Sequence, residues 1–272
     1  MFSRREVGDD LPAALGEEVA SVRESHAPDC VVLDAARDFE TVPPAAVEDL
    51  GLLVDALDPA SSPSEWLPDD APQALVRYAG GDFTVGMPGD GTVVSTRQTD
   101  PPTVIVKKRA EGTPRPFLAF LLAEAFVERS ADVPEQFLPF FGEQYRELAD
   151  VVPLGPPEVY QLAAALFDAW VGLHTRPVFA SWGNDDAGDA CPRLHEAWVD
   201  AGERLTGRLG DLSGEVARGR TSFPAATEYA CSAVKHDLDL PSPFDALDAT
   251  AYREHGAEYA VRWAEKTFET LS

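Results

Sequence analysis

Two Cys–His pairs raise the question of a metal ion. Cys191 and His195 stand four apart in "CPRLH", and Cys231 and His236 stand five apart in "CSAVKH". Thiolate and imidazole are zinc ligands, and residues four apart on a helix share a face. The first pair meets that condition. The second is rotated onto different faces, and the paired spacing of a structural zinc site is absent. Three widely spaced cysteines, Cys30, Cys191 and Cys231, do not make a disulfide framework either. They are expected to be reduced and buried, with no metal. "WGNDDAGDAC" (182–191) gathers Asp185, Asp186 and Asp189. A calcium loop requires alternating ligands, a glycine at its sixth position and a glutamate at its twelfth. No register here supplies all three, so a solvated acidic loop is expected.

Anion chemistry has better material. "TVIVKKR" (103–109) ends in Lys107, Lys108 and Arg109, and "GLHTRP" sets His174 and Arg176 just before Pro177. These five are the candidate ligand-binding residues, for a small anion or a carboxylate. Each group also has a structural explanation. In a regular strand Lys107 and Arg109 continue the face of Ile105, while Lys108 continues that of Val104 and Val106. The three then cannot all enter one pocket. Their aliphatic stems would lie on the core rim with the charged heads in water. His174 and Arg176 would sit at a helix C-terminus, where cations complement the dipole and cap carbonyls. Nothing local to His174 and Arg176 supplies a nucleophile or a partnering acid, whereas many carboxylates can partner the cluster at 107–109; the catalytic residues are unknown.

"GGDFTVGMPGDGTVV" is glycine-rich, yet it lacks the Lys-Ser/Thr pair that opens a helix in a phosphate-binding loop. A hairpin turn accounts for its glycines. No nucleophile elbow, zincin motif, dinucleotide fingerprint or kinase motif occurs, and no cofactor is expected.

The elements that must position these residues follow from periodicity. Leu11, Leu15, Val19 and Val22 mark a helix over 11–25, and "CVVLDA" (30–35) a short buried strand. In "PPAAVEDLGLLVDAL" (43–57), Val47, Leu50, Leu53, Val54 and Leu57 form an apolar stripe that predicts a helix. Asp70 and Pro72 open another, through 79. "DFTVGM", "TVVSTRQ" and "TVIVKKR" read as three successive strands. Val104, Ile105 and Val106 are apolar on both faces, as in a strand covered on both sides. From 115 onward the pattern is helical. Helices are expected over 115–129, 192–209, 224–238 and 249–270. Two more are expected within 132–152, kinked or broken at Pro139, and within 156–176, stopped by Pro177.

The chain has 272 residues, 22 basic and 47 acidic, for a formal charge of −25. Only 4 of the basic residues are lysine. A surface of this kind costs little where molar salt screens self-repulsion, so a high-salt cytoplasm is expected. Residues 91–182 carry a net charge of −3, against −14 before and −8 after, which makes the middle third the candidate core or interface. Nucleic-acid binding in its usual mode needs a basic patch, and one three-residue cluster in a strongly acidic chain argues against it. Ser3-Arg4-Arg5 opens no export signal, because acidic residues interrupt the apolar stretch such a signal needs. "FLAFLLA" (117–123) is too short to span a bilayer. A soluble, cytoplasmic protein is expected.

Together "DFETVPP", "VEDLGLLVDALDPAS", "DFTVGMPGDGTVVSTRQT", "PPTVIVKKR", "ACSAVKH" and "EYAVRWAEK" resemble a family of uncharacterised haloarchaeal proteins of unknown function. The resemblance extends over most of the chain from about residue 26. It implies a haloarchaeal origin and supplies no catalytic residues.

The expected fold is α+β and mainly α. A small antiparallel β-meander over about 82–109 packs with helices and precedes a helical, bundle-like region. The expected division is 1–112 and 113–272, joined near Gly112 to Pro116. The leading expectation for function is a non-enzymatic interaction or scaffold protein, with a protein partner or a further copy of the chain. The competing one is an enzyme or small-anion-binding protein with a site between the β-meander and the helical part.

Overall fold

Val104, Ile105 and Val106 are buried one after another, as a run of apolar residues without a polar alternate predicts, and Thr103 before them is buried too. The computed structural model describes residues 2–43, 45–47, 51–86, 91–184 and 190–271. Its strands in chain order are β1 (Phe2–Arg4), β2 (Val31–Ala35), β3 (Thr41–Val42), β4 (Ala56–Leu57), β5 (Phe83–Thr84), β6 (Val93–Thr96), β7 (Thr99–Asp100) and β8 (Thr103–Val106). Its helices are α1 (Ala13–His26), α2 (Gln73–Ala79), α3 (Arg115–Ser130), α4 (Phe137–Phe141), α5 (Gln144–Val151), α6 (Pro156–Ser181), α7 (Pro192–Leu209), α8 (Leu212–Ala217), α9 (Phe223–Lys235) and α10 (Thr250–Leu271). The protein is α+β and mainly helical.

The chain divides into two compact units. One comprises Met1–Ser61, Arg77–Glu135 and Val178–Trp198, the other Ser62–Val76, Gln136–Pro177 and Val199–Ser272. This differs from a single cut near Gly112 to Pro116. The reason lies in α3, which follows that point yet packs along α1 and against β6 and β8 in the first unit.

The first unit is built on a four-stranded sheet in the order β1-β2-β8-β6. β8 runs parallel to β2, with Ile105 opposite Leu33, and antiparallel to β6, with Ile105 opposite Val94. Alternate side chains leave opposite faces. Val32, Val104 and Val106 therefore join one apolar cluster, with Val19, Leu122, Phe126 and Phe179. Leu33 and Ile105 join another, with Phe2, Val42, Phe83 and Val85. Full burial of side chains such as Ile105 or Phe126 contributes about 1.5–3 kcal/mol each.

The strand pairing differs from the expected three-strand meander. β6 and β8 pair as expected, but β5 pairs antiparallel with β3, in a separate two-stranded ladder. Thr84 and Phe83 find their partners in Thr41 and Val42. The expected hairpin tip, 87–90, and the acidic loop, 185–189, lie outside the described residues.

The expected helix within 43–57 is also corrected. Residues 45–47 are helical and 48–50 lie outside the described residues. Gly51 then has φ of +66°, a conformation that ends helices. Ala56–Leu57 pairs with β7 instead, and Leu53 is exposed. An amphipathic stripe of this length fits a helix, yet the β7 ladder captures its last residues.

In the second unit, the kink or break expected at Pro139 falls at Gly142. Pro139 lies in the first turn of α4, where a missing N–H costs nothing. Gly142, at φ +55°, separates α4 from α5. α10 packs on both helices. Within α10, Gly256 has φ +49° and ψ −123°, and a Cβ there would come 3.1 Å from the Phe140 ring. Tyr252 Oη donates a 2.6 Å hydrogen bond to the Leu166 carbonyl, which ties α10 to α6.

Pro177 does not stop its helix: α6 continues through it to Ser181. A proline here removes one hydrogen bond. Phe179, fully buried just beyond it, supplies a reason for the chain to continue. Among the described residues no helix is long and apolar enough to cross a membrane.

Candidate functional site

The basic cluster begins where β8 ends. The Lys107 backbone N–H donates to the Thr92 carbonyl at 2.8 Å, and the chain then enters a 3-10 turn, Lys108–Ala110. Strand alternation therefore stops at Val106, and the expected sharing of faces by Lys107 and Arg109 does not apply. The expectation that all three charged heads stand in water is corrected at Lys107, which is only 2% exposed. Lys108 is 49% exposed and forms an ion pair with Glu111. Arg109 donates its backbone N–H to Asp38 Oδ1 at 3.1 Å, and its guanidinium lies 3.7 Å from both Asp38 and Glu40. These are the first unit's own carboxylates.

His174 and Arg176 lie in the second unit. Because α6 runs on to Ser181, they occupy the body of a helix and not its C-terminus. The cap-and-dipole explanation is thus replaced by specific partners. His174 Nδ1 is 2.9 Å from the Trp170 carbonyl, and its ring packs against the Trp170 indole with centroids 4.3 Å apart and the planes tilted by 51°. Arg176 reaches Asp248 at 2.7 Å and Asp237 at 3.3 Å, and donates to the Val234 carbonyl at 3.0 Å. It thereby binds the end of α9 and the segment before α10. Neither unit by itself gathers all five candidate residues.

The three cysteines are free and buried. Burial, reinforced by the negative charge of Asp29, pushes the Cys30 thiol up to about 11, although Arg129 and Arg23 pull the other way. Burial likewise raises Cys231, with Asp168 and Glu228 adding to it. A thiol held protonated is a poor nucleophile. The His195 ring lies over Gly183, so close that a Cβ there would come 2.9 Å from it, and 5.6 Å from Trp198. Among the described residues no three metal-capable side chains converge.

A groove in the second unit was not singled out from the sequence. It has a volume of about 630 Å³ and runs along one face of α10, past Tyr259, Arg262, Trp263, Lys266, Thr267 and Thr270. Its other wall is the segment Ser242 to Ala246. Two hydrogen bonds fix the walls: Trp263 Nε1 donates to the Pro243 carbonyl at 2.9 Å, and Tyr259 Oη to the Ala246 carbonyl at 2.8 Å. The signal available in the sequence was the spacing of those α10 residues, which recur every three or four positions.

Fold and side chains together define a mainly helical α+β protein in which no three metal-capable side chains converge among the described residues, and in which Ser130 Oγ lies 2.8 Å from His26 Nδ1 at the protein surface. The chain belongs to DUF7089, a family of unknown function, whose family model matches residues 1–271. No curated protein and no solved structure matches the chain.

Proposed function

We propose that this is a non-enzymatic interaction or scaffold protein of a salt-rich haloarchaeal cytoplasm, acting through a protein partner or a further copy of the chain. One observation carries this reading. Three of the five candidate ligand-binding residues are committed to the chain's own acids: Lys108 to Glu111, Arg109 to Asp38 and Glu40, and Arg176 to Asp237 and Asp248. An incoming phosphate would have to displace carboxylates that are already tethered at high effective concentration. The charge of −25 supports the salt-rich compartment, because it keeps a chain dispersed where salt screens its self-repulsion.

The test has two arms, both in molar KCl. Tagged protein is purified natively from a high-salt extract, and co-purifying proteins and small molecules are identified. The purified chain is also titrated with nucleotides and phosphorylated metabolites. A stoichiometric protein partner, or self-association, with no phosphorylated ligand is the expected result. A phosphorylated ligand that binds wild type and is lost in Lys108→Gln or Arg176→Gln would overturn the reading.

A further inference from the structure

We infer that the groove along α10 is a binding site for a small amphiphilic carboxylate, a molecule with a flat apolar body and one terminal carboxylate. This goes beyond a scaffold role and does not depend on it. The volume, about 630 Å³, lies in the range of small-molecule sites, which is roughly 300–1,000 Å³. The floor is apolar and preformed. Trp263 is only 6% exposed and packs on Phe223 and Phe244, so it does not have to reorganise to receive a ligand. The indole and phenol polar atoms are spent on the Pro243 and Ala246 carbonyls, which leaves ring surface as what these two residues can offer.

The charge in the groove runs against that of the chain. Arg262 and Lys266 stand one turn apart on the α10 wall. Arg262 is paired with Glu258 at 2.7 Å, which does not line the groove, whereas Lys266 has no ion pair among the described residues. The one acid of the lining, Asp245, directs Oδ1 to the Ala246 backbone N–H at 3.1 Å. An apolar floor bordered by two cations fits a ligand that is apolar for most of its length and anionic at one end. Hydroxyls of Thr267 and Thr270 line the same wall. The Thr270 hydroxyl donates to the Lys266 carbonyl at 2.9 Å, which leaves the recognition of a carboxylate to the two cations.

The probe is 4-phenylbutyrate, titrated calorimetrically into the full chain in molar KCl, with its uncharged amide as the comparison. One saturable site per chain is expected. The amide should bind about tenfold more weakly, as expected for loss of one charge-assisted contact, and the double variant Arg262→Glu with Lys266→Glu should bind the acid at least as much more weakly. Both substituted residues are exposed, so the fold should survive, and circular dichroism checks this. No saturable binding by wild type overturns the proposal. So does equal binding of acid and amide, which needs no variant to fold, or unchanged affinity in a folded double variant.

Discussion

Gln98 donates its side-chain amide to Glu135 Oε1 across 2.8 Å, joining residues 37 apart in the chain. The same carboxylate accepts the Thr96 hydroxyl at 2.8 Å and, through Oε2, the Arg97 backbone N–H at 2.6 Å. Gln98 is buried and also exchanges hydrogen bonds with the Thr84 backbone, as donor at 2.8 Å and acceptor at 3.2 Å. Arg97 turns the other way and donates to the Val133, Arg129 and Ala131 carbonyls at the end of α3. Glu135 thus fixes the end of β6, from which Gln98 reaches β5 and Arg97 the exit of α3.

That arrangement makes Glu135→Gln informative despite its near-identical shape. The new amide can accept with only one atom, and its NH2 would face a donor. Leaving a buried donor unsatisfied costs about 1–3 kcal/mol. Urea unfolding should give a loss in that range with an unchanged m-value. A loss below about 0.5 kcal/mol, the usual scale of a surface substitution, would mean that the network contributes little.

The basic cluster is tested by chemistry that reads exposure. Lys107 is 2% exposed and the Lys108 side chain 49%. Brief treatment of the native protein with an amine-reactive ester, followed by peptide mass spectrometry, should modify Lys108 far faster than Lys107. After unfolding the two should react alike. Equal native rates would contradict the burial of Lys107.

How much of this was legible in the sequence depended on whether a feature was local. Val104 to Val106 announced a strand covered on both sides because each residue is apolar, whichever way the pleat turns. The burial of Lys107 was not legible, because it depends on where β8 yields to the 3-10 turn. Leu53 to Leu57 carried a helical stripe that the pairing with β7 overrides. Pro177 carries a stop signal whose cost the burial of Phe179 can offset. The Gln98–Glu135 contact has no periodic signature at all. For the groove, the α10 stripe was visible, but the opposing wall follows from the hydrogen bonds of Tyr259 and Trp263.

The buried thiols give the fold an alkaline limit. Cys30 has its pKa raised from 9.0 to about 11 in the folded chain. Between those values the folded protein keeps a proton that the unfolded chain has released. The contribution is therefore complete below pH 9.0 and is lost as pH rises towards about 11. Cys231 and the buried Tyr252, both raised, act in the same sense. The urea midpoint should fall over this window, and Cys30→Ala should fall less steeply. Ellman's reagent should label no thiol rapidly in the native protein at neutral pH and all three once it unfolds. Rapid native labelling of Cys30 or Cys231 would rule out the buried, protonated state.

The acidity of the chain yields the prediction with the widest reach. At −25, most surface charges meet like charges, and their repulsion opposes the compact state. The Debye length falls from about 8 Å at physiological ionic strength to about 3 Å in molar salt, which removes repulsion between all but adjacent groups. Paired, half-buried cations such as Arg109 and Arg176 are screened less, so their attractions persist while the repulsions fade. Melting temperature should therefore rise substantially from dilute buffer to molar KCl. Sodium chloride at equal ionic strength should act alike if screening is the cause. Sucrose, which strengthens burial without screening, should not reproduce the steep early part of the rise. A melting temperature that stays flat or falls over this range would remove the physical basis for assigning the chain to a salt-rich cytoplasm.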